Sequence, residues 1–319
     1  MTEREGPASR PRPSQHTVGP EGEGQRLDNY LIKLFKGVPK TRLYKALRKG
    51  EIRVNKGRVK ADYRLCVGDV LRLPPLRQAA KAEEPRQVPQ RWAQDIASRV
   101  VYEDEGLLVI DKPSGLAVHG GSGLSFGLIE SLRQLRPHDR YLELVHRLDR
   151  DTSGLILIAR KRAVLTELHR LLREDQVDKR YIALVLGNWP QRRSLVDAPL
   201  EKNVLSSGER MVRVMSSGRR SKTEFSVLER LRGATLVEAK PITGRTHQIR
   251  VHARHVGCPL IGDEKYGDVR TESLARDIGL KRLFLHAASL RFSLPHCGRL
   301  ELSAGLDNNL ENILEKLRK

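Results

Sequence analysis

Six short apolar segments in the C-terminal two thirds of the chain follow one another with few helical stretches between them. Each has the length of a β-strand and is flanked by charged residues, glycine or proline. The regular alternation of strand and helix that produces a doubly wound parallel sheet is missing. The pattern therefore predicts an α+β domain with a mixed, mostly antiparallel sheet. Its strands are expected within residues 107–113, 155–160, 181–187, 223–229, 234–240 and 283–292.

Two segments of the same region have apolar residues at helical spacing instead. Residues 163–174 carry leucines three and four positions apart, which is typical of a helix with one buried face. Residues 245–257 form the second predicted helix, with Thr243 as a candidate N-terminal cap. Both helices are expected to pack against the predicted sheet.

The N-terminal part of the chain is strongly basic. Residues 26–77 contain fifteen Lys or Arg and four acidic residues, a net charge of +11 out of +20 for the whole chain. Two helices are predicted at residues 27–37 and 41–50, and a β-hairpin is predicted at residues 51–60. A helix pair with one basic side, followed by a basic hairpin, is a surface suited to phosphate groups. The candidate phosphate contacts on the second helix are Arg42, Lys45 and Lys49.

Composition divides the chain into four parts. Residues 1–24 are rich in Pro, Gly and Glu and are predicted to be a disordered tail. Residues 25–77 form the small basic α+β module, and residues 78–98, with several Gln, Ala and Pro, are predicted to be a linker. Residues 99–319 are expected to fold as one larger domain.

Several classes of protein are disfavoured by the sequence. The chain has no glycine-rich nucleotide fingerprint and no Walker-type phosphate loop. His247, His252 and His255 are spaced by five and three residues, unlike the pair of a helical zinc site, so no metal and no cofactor are expected. Three widely spaced cysteines argue against a disulfide framework and for the cytoplasm. No apolar run approaches the length that spans a membrane, so nucleic acid is the expected polyanionic partner of this basic chain.

The segment HRLDRDTSG, residues 146–154, lies between two predicted strands and is therefore a loop. Its aspartates are open to two interpretations on physical grounds. An Asp in a charged turn commonly caps its own backbone. A carboxylate on a loop that two strands position is also a suitable catalytic group.

The same segment resembles the signature of the RNA pseudouridine synthases that modify large-subunit ribosomal RNA. Residues 179–187, KRYIALVLG, resemble the second motif of this family, and residues 241–267, which begin PITGRTHQIR, resemble the third. Residues 110–130 also fit the family. The basic N-terminal module resembles the S-four-type RNA-binding domain that many of these enzymes carry. The resemblance covers residues 25–319 and implies the pseudouridine synthase fold.

The resemblance implies that uridine in RNA is isomerised to pseudouridine without a cofactor or a metal. The aspartate of the family signature is essential in these enzymes, so Asp149 is the expected catalytic carboxylate. It can stabilise or trap the electron-poor C1′ atom that appears when the base leaves. Attack at C1′, attack at C6 of uracil and proton transfer from C2′ all stay open as its mode of action.

The family motifs imply roles for further residues. Arg250 is the expected buried partner of Asp149, with Arg245 as the alternative, and Tyr181 is expected to stack on the target base or to accept its C5 proton. Arg147 is expected to fill the space that the extruded base leaves in the RNA. The other polar residues of the loop are expected to shape it and to contact phosphate; they include His146, Arg150 and Thr152.

Three alternatives accompany this prediction. A related synthase could modify other ribosomal or transfer RNA uridines, and a domain that has lost catalysis could serve as an RNA-binding assembly factor. A hydrolase that uses the acid and the histidines with a metal is the third. The partner is expected to be large-subunit ribosomal RNA during assembly, and the chain is expected to act as a monomer.

Overall fold

The computed structural model describes residues 13–35, 37–76, 90–120, 127–190, 194–204 and 210–319. Contacts within the chain divide it into two compact units, residues 1–86 and 87–319. The first twelve residues of the predicted tail and most of the predicted linker lie outside the described residues.

The N-terminal unit is a small α+β module. Its three strands form one antiparallel sheet in the order β1-β3-β2. The apolar faces of both helices pack with the sheet into one core, to which Leu31, Leu43 and Leu71 contribute fully buried side chains. The elements are β1 (Ser14–Thr17), α1 (Leu27–Leu34), α2 (Lys40–Lys49), β2 (Arg53–Val54) and β3 (Val70–Leu73).

The predicted disordered tail is wrong in its second half. Strand β1 lies within it and pairs along its whole length with β3, and Val18, directly after β1, is almost completely buried. The composition of the segment is typical of disorder, but backbone groups pair with an open strand edge regardless of side-chain type. The predicted hairpin at residues 51–60 is reduced to a turn that a single antiparallel bridge between Val54 and Gly57 closes. Asn55 and Lys56 form the turn with left-handed backbone angles, but β2 takes its ladder partner from β3.

Among the described residues, the C-terminal unit has fifteen helices and strands before residue 285. They are α3 (Gln90–Ser98), β4 (Val100–Glu103), β5 (Leu107–Lys112), α4 (Leu128–Leu135), β6 (Glu143–Leu144), β7 (Ser153–Ala159), α5 (Arg162–Arg173), β8 (Asp178–Leu186), β9 (Leu195–Asp197), β10 (Leu200–Val204), β11 (Arg210–Val214), β12 (Lys222–Leu231), β13 (Ala234–Pro241), α6 (Gln248–His255) and α7 (Val269–Ile278). The chain then ends with β14 (Leu285–Leu294), β15 (Gly298–Ser303) and α8 (Asn308–Arg318).

Ten of these strands form a single mixed sheet. Its main path runs β4-β5-β7-β14-β8-β13-β12-β9, while β6 pairs with β7 and β15 pairs with β14. Strands β7 and β14 are parallel to each other, and every other pairing of this sheet is antiparallel. The α+β class with a mixed, mostly antiparallel sheet is therefore confirmed.

Strand β7 shows why the sheet is covered on both faces. Side chains alternate along a strand, so Leu155 and Leu157 point to the face that α5 covers. Ile156 and Ile158 point to the opposite face, where they pack with α4. All seven residues of the strand are buried. The loop that precedes β7 is therefore attached to one of the most rigid parts of the unit.

Two predicted boundaries change in the structure. The last nine residues of the predicted linker form α3, because Ile96 buries its side chain among Leu108 and Ile110 of the large unit. The helix predicted from residue 245 begins at Gln248, and His247 precedes it with a left-handed φ of 53°. Thr243 is not its cap; the Thr243 hydroxyl donates to the side-chain oxygen of Gln248 instead, at 2.7 Å.

Within the part of the chain that the structure describes, no helix is both long and apolar enough to cross a membrane.

Candidate active site

The loop that carries Asp149 connects β6 to β7 and is tied down through its own backbone. The carbonyl of Arg150 accepts hydrogen bonds from the Gly115 amide at 2.9 Å and from the buried Lys112 ammonium at 3.0 Å. The Ser114 hydroxyl donates to the carbonyl of Asp151 at 2.7 Å. Side-chain substitutions on the loop leave these anchors intact, so the path of the loop is set by the segment after β5.

Gly154 fixes the end of the loop against the sheet. Its φ of 107° lies in the region that residues with a side chain rarely adopt. A Cβ atom at this position would stand 2.3 Å from the carbonyl oxygen of Ala287, on the parallel neighbour β14. Glycine is required here because two strands approach each other immediately beside the loop.

Asp149 is paired with a buried arginine. Nη1 of Arg250 donates to Oδ2 of Asp149 at 3.2 Å, and the Asp149 side chain is 19% exposed. The other two nitrogens of this guanidinium, Nε and Nη2, donate to the two carboxylate oxygens of Asp263 at 2.8 and 2.7 Å. Arg250 therefore bridges one fully buried carboxylate and one that faces a cavity.

The charge of Arg250 is secured by these neighbours. Burial by itself would lower the pKa of Arg250, but the hydrogen bonds and charge of Asp263, helped by Asp149, raise it above the ordinary value. Asp263 is held in turn by the backbone amides of Lys265 and Tyr266, each at 3.0 Å. A permanent cation thus stands beside the Asp149 carboxylate.

His247 forms the other side of the same carboxylate. Its Nε2 lies 3.8 Å from Oδ2 of Asp149, and its Nδ1 lies 2.7 Å from the Tyr266 hydroxyl. Burial lowers the pKa of His247, against the opposing effect of the Asp149 charge. The imidazole is therefore neutral at neutral pH, and its contact with Asp149 is not an ion pair there.

Two cavities of about 650 and 870 Å³ lie next to Asp149. Arg147, Asp149, His247 and Arg250 line both of them, so the carboxylate stands where they meet. The volumes are in the range of pockets that hold small organic groups. Lysine and arginine side chains line both spaces: Arg173, Lys179 and Arg245 in the first, and Arg150, Lys265, Lys281 and Arg282 in the second.

Tyr181 lines the first cavity from β8 and is partly buried against the core on both sides of the sheet. Burial raises the pKa of Tyr181, and the nearby charge of Asp149 raises it further. The phenol is consequently protonated at neutral pH. Its ring and its hydroxyl are both available to a group that enters the cavity.

The other loop residues predicted for the site occupy different surroundings. Arg147 and Arg150 are exposed, and Arg150 pairs with Asp151 at 2.8 Å. Thr152 is buried, and its amide donates to the carbonyl of Asp149 at 3.2 Å. The ring nitrogen Nε2 of His146 accepts a hydrogen bond from the Leu157 amide at 3.2 Å, which joins the loop to β7.

Arg245 lies at the rim of the first cavity. It is exposed, and its Nε donates to the carbonyl of Arg220 at 3.3 Å. The partner of Asp149 in the structure is thus Arg250 and not Arg245. On the N-terminal unit, Lys45 and Lys49 are exposed along α2, while Arg42 pairs with Glu51 at 2.8 Å.

No role was predicted from the sequence for Asp263 and Tyr266, and His247 was considered only as a possible metal ligand. Asp263 and Tyr266 lie in the GDEKYG segment of the third motif, so this motif could have indicated both as site residues. A buried arginine requires a carboxylate partner, and a second acid close to it in the chain is a natural candidate. Nothing in local periodicity indicates that these side chains converge on Asp149.

One cluster of possible metal ligands occurs among the described residues, away from this site. Asp104, His296 and Cys297 have ligand atoms within 4.8 Å of one another. The Tyr102 hydroxyl already donates to Asp104 at 2.8 Å, and burial raises the pKa of the Cys297 thiol. These residues do not line either cavity beside Asp149.

Comparisons with known families agree with this architecture. Residues 106–255 match the family described as RNA pseudouridylate synthase, and residues 25–71 match the S4 domain. The chain belongs to the RNA pseudouridine synthase family and carries an S4 domain at its N-terminal side. The family predicted from the motifs is therefore confirmed.

Similar proteins are found along nearly the whole chain. A protein of Pasteurella multocida (strain Pm70) is 53% identical over 304 residues, which cover 95% of this chain and 93% of that protein. A protein of Haemophilus influenzae is 52% identical over 95% of this chain and 94% of its own length. A protein of Escherichia coli (strain K12) is also 52% identical, over 92% of this chain and 93% of its own length. All three are named Ribosomal large subunit pseudouridine synthase C.

Solved structures show the same fold. Human RNA Pseudouridylate Synthase Domain Containing 4 superposes with a TM-score of 0.59 at 29% identity, over 72% of this chain and 96% of that one. Human RNA Pseudouridylate Synthase Domain Containing 1 has a TM-score of 0.54 at 28% identity, over 65% of this chain and 82% of that one.

Proposed function

We propose that this enzyme converts uridine to pseudouridine in large-subunit ribosomal RNA, with Asp149 as the catalytic carboxylate. The substrate is inferred from relatives that carry this activity in their names and share about half of their residues with nearly the whole chain. The role of Asp149 is inferred from one observation above all: its carboxylate stands beside a buried cation where two cavities meet.

The reaction needs one reactive carboxylate. The bond from N1 of uracil to C1′ breaks, the base turns, and C5 bonds to C1′; C5 loses a proton and N1 gains one, so the atoms balance without an oxidant. A second free carboxylate could activate water and cause hydrolysis. Asp263 cannot serve in that way, because Arg250 and the backbone amides of Lys265 and Tyr266 occupy its oxygens.

Arg250 holds the Asp149 carboxylate in place. A carboxylate that is largely shielded from water is costly unless a cation or several donors accompany it. The contact from Nη1 at 3.2 Å supplies the charge, and the two-point bond to Asp263 prevents the guanidinium from turning away. We assign Arg250 to holding the anion ready for the sugar or the base.

Tyr181 supplies a flat surface for the target base. Its ring lines the first cavity, and its raised pKa keeps the phenol protonated at neutral pH. A protonated phenol is a poor acceptor for the C5 proton. These properties favour stacking over proton abstraction as the contribution of Tyr181.

A base inside folded RNA must leave its stack to reach Asp149. Arg147 is exposed, lines both cavities and stands two residues before Asp149 in the chain. A guanidinium is planar and stacks on bases. We therefore propose that Arg147 takes the place of the extruded base, while Arg150, Thr152 and His146 hold the loop in shape.

The N-terminal unit is proposed to hold the RNA through its phosphates. Lys45 and Lys49 are exposed to solvent on α2, and Arg42 on the same helix forms an ion pair with Glu51. We further propose that the enzyme acts as a monomer in the cytoplasm on an assembling ribosomal subunit. Free Cys66, Cys258 and Cys297 are in keeping with a reducing compartment.

The test uses the Asp149→Asn variant, which keeps the shape of the side chain and removes its charge. Large-subunit ribosomal RNA and transfer RNA from a strain that lacks the gene are each treated with either protein, and pseudouridines are mapped by chemical sequencing. The wild type should introduce new pseudouridines, whereas Asp149→Asn should bind the RNA and introduce none. New modification by Asp149→Asn contradicts the catalytic role. Modification of transfer RNA alone contradicts the substrate.

A further inference from the structure

Tyr266 connects the backbone of β11 to His247. The Val212 amide donates to the Tyr266 hydroxyl oxygen at 3.0 Å, and that hydroxyl lies 2.7 Å from Nδ1 of His247. Among the described residues, His247 is the acceptor within hydrogen-bonding distance of the Tyr266 O–H. With its oxygen accepting from Val212, the hydroxyl is assigned as the donor to Nδ1 of His247, the arrangement in which each group has one partner.

This arrangement decides which imidazole nitrogen carries the proton. A neutral imidazole has one N–H, and a nitrogen that accepts a hydrogen bond cannot hold it. Nδ1 accepts from Tyr266, so the proton is on Nε2. Nε2 is the nitrogen that faces Oδ2 of Asp149 at 3.8 Å. The edge-on contact between the two rings, with centroids 5.4 Å apart, fixes the orientation of the imidazole.

The two donors near Asp149 converge on the same oxygen. Arg250 donates to Oδ2, and the Nε2–H of His247 also faces Oδ2. Within the residues that the structure describes, no donor reaches Oδ1 of Asp149. The two oxygens of this carboxylate are therefore in different surroundings.

We propose that His247 is a positioning residue that, together with Arg250, holds Oδ2 of Asp149 and leaves Oδ1 to face the nucleotide. The inference rests on the proposed role of Asp149. The separation of 3.8 Å is longer than a hydrogen bond, so in this proposal the bond forms in the complex with the nucleotide. Hydrogen bonds that serve catalysis often reach full strength only in the substrate complex.

A purely structural role for His247 makes a different prediction. In that case the residue would only begin α6 and support Tyr266, so replacing it would lower stability without changing turnover by the folded protein. Two substitutions of His247 by amide side chains, His247→Asn and His247→Gln, separate these possibilities. The amide nitrogen of Gln reaches the position of Nε2, whereas Asn reaches only that of Nδ1. Asn also tolerates the left-handed backbone found here.

The experiment measures kcat, KM and thermal stability on a ribosomal RNA fragment with full-length His247→Asn, His247→Gln, Tyr266→Phe and Asp149→Asn. His247→Asn should lower kcat roughly tenfold to a hundredfold, the effect of one hydrogen bond to a charged group, and change KM less than about twofold. His247→Gln should recover most of the lost kcat. His255→Gln, an exposed position on the same helix, is the matched control and should behave like the wild type.

Tyr266→Phe tests the connection to β11. If Tyr266 acts through His247, the double variant His247→Asn/Tyr266→Phe should be no slower than His247→Asn alone. If the kcat losses of the two single variants add in the double variant, Tyr266 does not act through His247. A wild-type kcat in folded His247→Asn, or equal kcat in the Asn and Gln variants, overturns the positioning role. Because Asp149→Asn is measured in parallel, its activity reports separately on the proposed function.

Discussion

Asp263 holds Arg250 at two points, with nitrogen–oxygen distances of 2.8 and 2.7 Å, and leaves Nη1 directed at Asp149. The Asp263 side chain is fully buried, so this ion pair is shielded from water and salt. A guanidinium that is fixed on one edge can present its remaining nitrogen in a defined direction. The geometry around Asp149 therefore depends on a residue that does not line the first cavity.

Asp263→Asn should be strongly destabilising. The change leaves the Arg250 charge buried with only its contact to Asp149, and breaking a buried pair from one side costs about 3–5 kcal/mol of unfolding free energy. Chemical denaturation of the full chain measures this loss. Asp151→Asn is the matched control, because it removes a carboxylate from the exposed Arg150–Asp151 pair and should cost less than about 1 kcal/mol. Equal effects of the two substitutions would contradict the assigned importance of Asp263.

Tyr181 should tolerate loss of its hydroxyl better than loss of its ring. Tyr181→Phe keeps the stacking surface and should retain kcat within about tenfold, whereas Tyr181→Leu should lose roughly tenfold to a hundredfold, the value of one aromatic stack on a base. Steady-state kinetics on the same RNA compares the two. An inactive Tyr181→Phe together with an active Tyr181→Leu would mean that the hydroxyl, and not the ring, is needed.

His146 should make the fold sensitive to acid. Burial lowers its pKa from 6.5 to about 4, and the charge of Lys179 acts in the same direction. Between these pH values the unfolded chain binds a proton that the folded chain does not, so stability is fully present above pH 6.5 and falls as the pH approaches 4. The contribution is at most about 3 kcal/mol.

His146→Gln removes this titration and keeps an acceptor for the Leu157 amide. Unfolding free energies at several pH values should show a smaller loss in acid for His146→Gln than for the wild type. His255→Gln serves as the control at an exposed histidine. Parallel curves for the wild type and His146→Gln would rule out His146 as the source of acid sensitivity.

The basic face of α2 should determine part of the salt dependence of RNA binding. Replacing Arg42, Lys45 and Lys49 by Gln removes up to three phosphate contacts, so the slope of log affinity against log salt should flatten by about 2–3. Binding is measured by titration at several salt concentrations. The control changes the same charge at Arg291, Arg299 and Arg318 of the large unit, and it should leave the slope close to that of the wild type. A flattened slope in the control alone would place the RNA contacts elsewhere.

Local sequence patterns predicted the long strands β5, β7, β8, β12, β13 and β14 and the helices α5 and α6 of the large unit, whereas α4, α7, α8 and most of the remaining strands had no predicted counterpart. The alternation in β7 and the leucine spacing of α5 each depend on residues that are neighbours in the chain, so the sequence shows them directly. Strand β1 and helix α3 were missed for the opposite reason. Their compositions resemble a tail and a linker, and they are ordered by pairing with β3 and by the burial of Ile96.

The sequence by itself determined that Asp149 lies on a loop between two strands and that the chain carries the motifs of its family. The tertiary structure decided which groups surround that carboxylate. Arg250 is 101 positions away from Asp149 in the chain. The two meet because α6 packs against β12 and β13, and the sheet order β7-β14-β8-β13 joins these strands to the strand that follows the Asp149 loop. The contacts of Asp263 with Arg250, of Tyr266 with His247 and of His247 with Asp149 depend on the packing of α6 and its following loop. Such contacts leave no periodic trace in the sequence, because they arise from the position of whole elements and not from the spacing of residues within one.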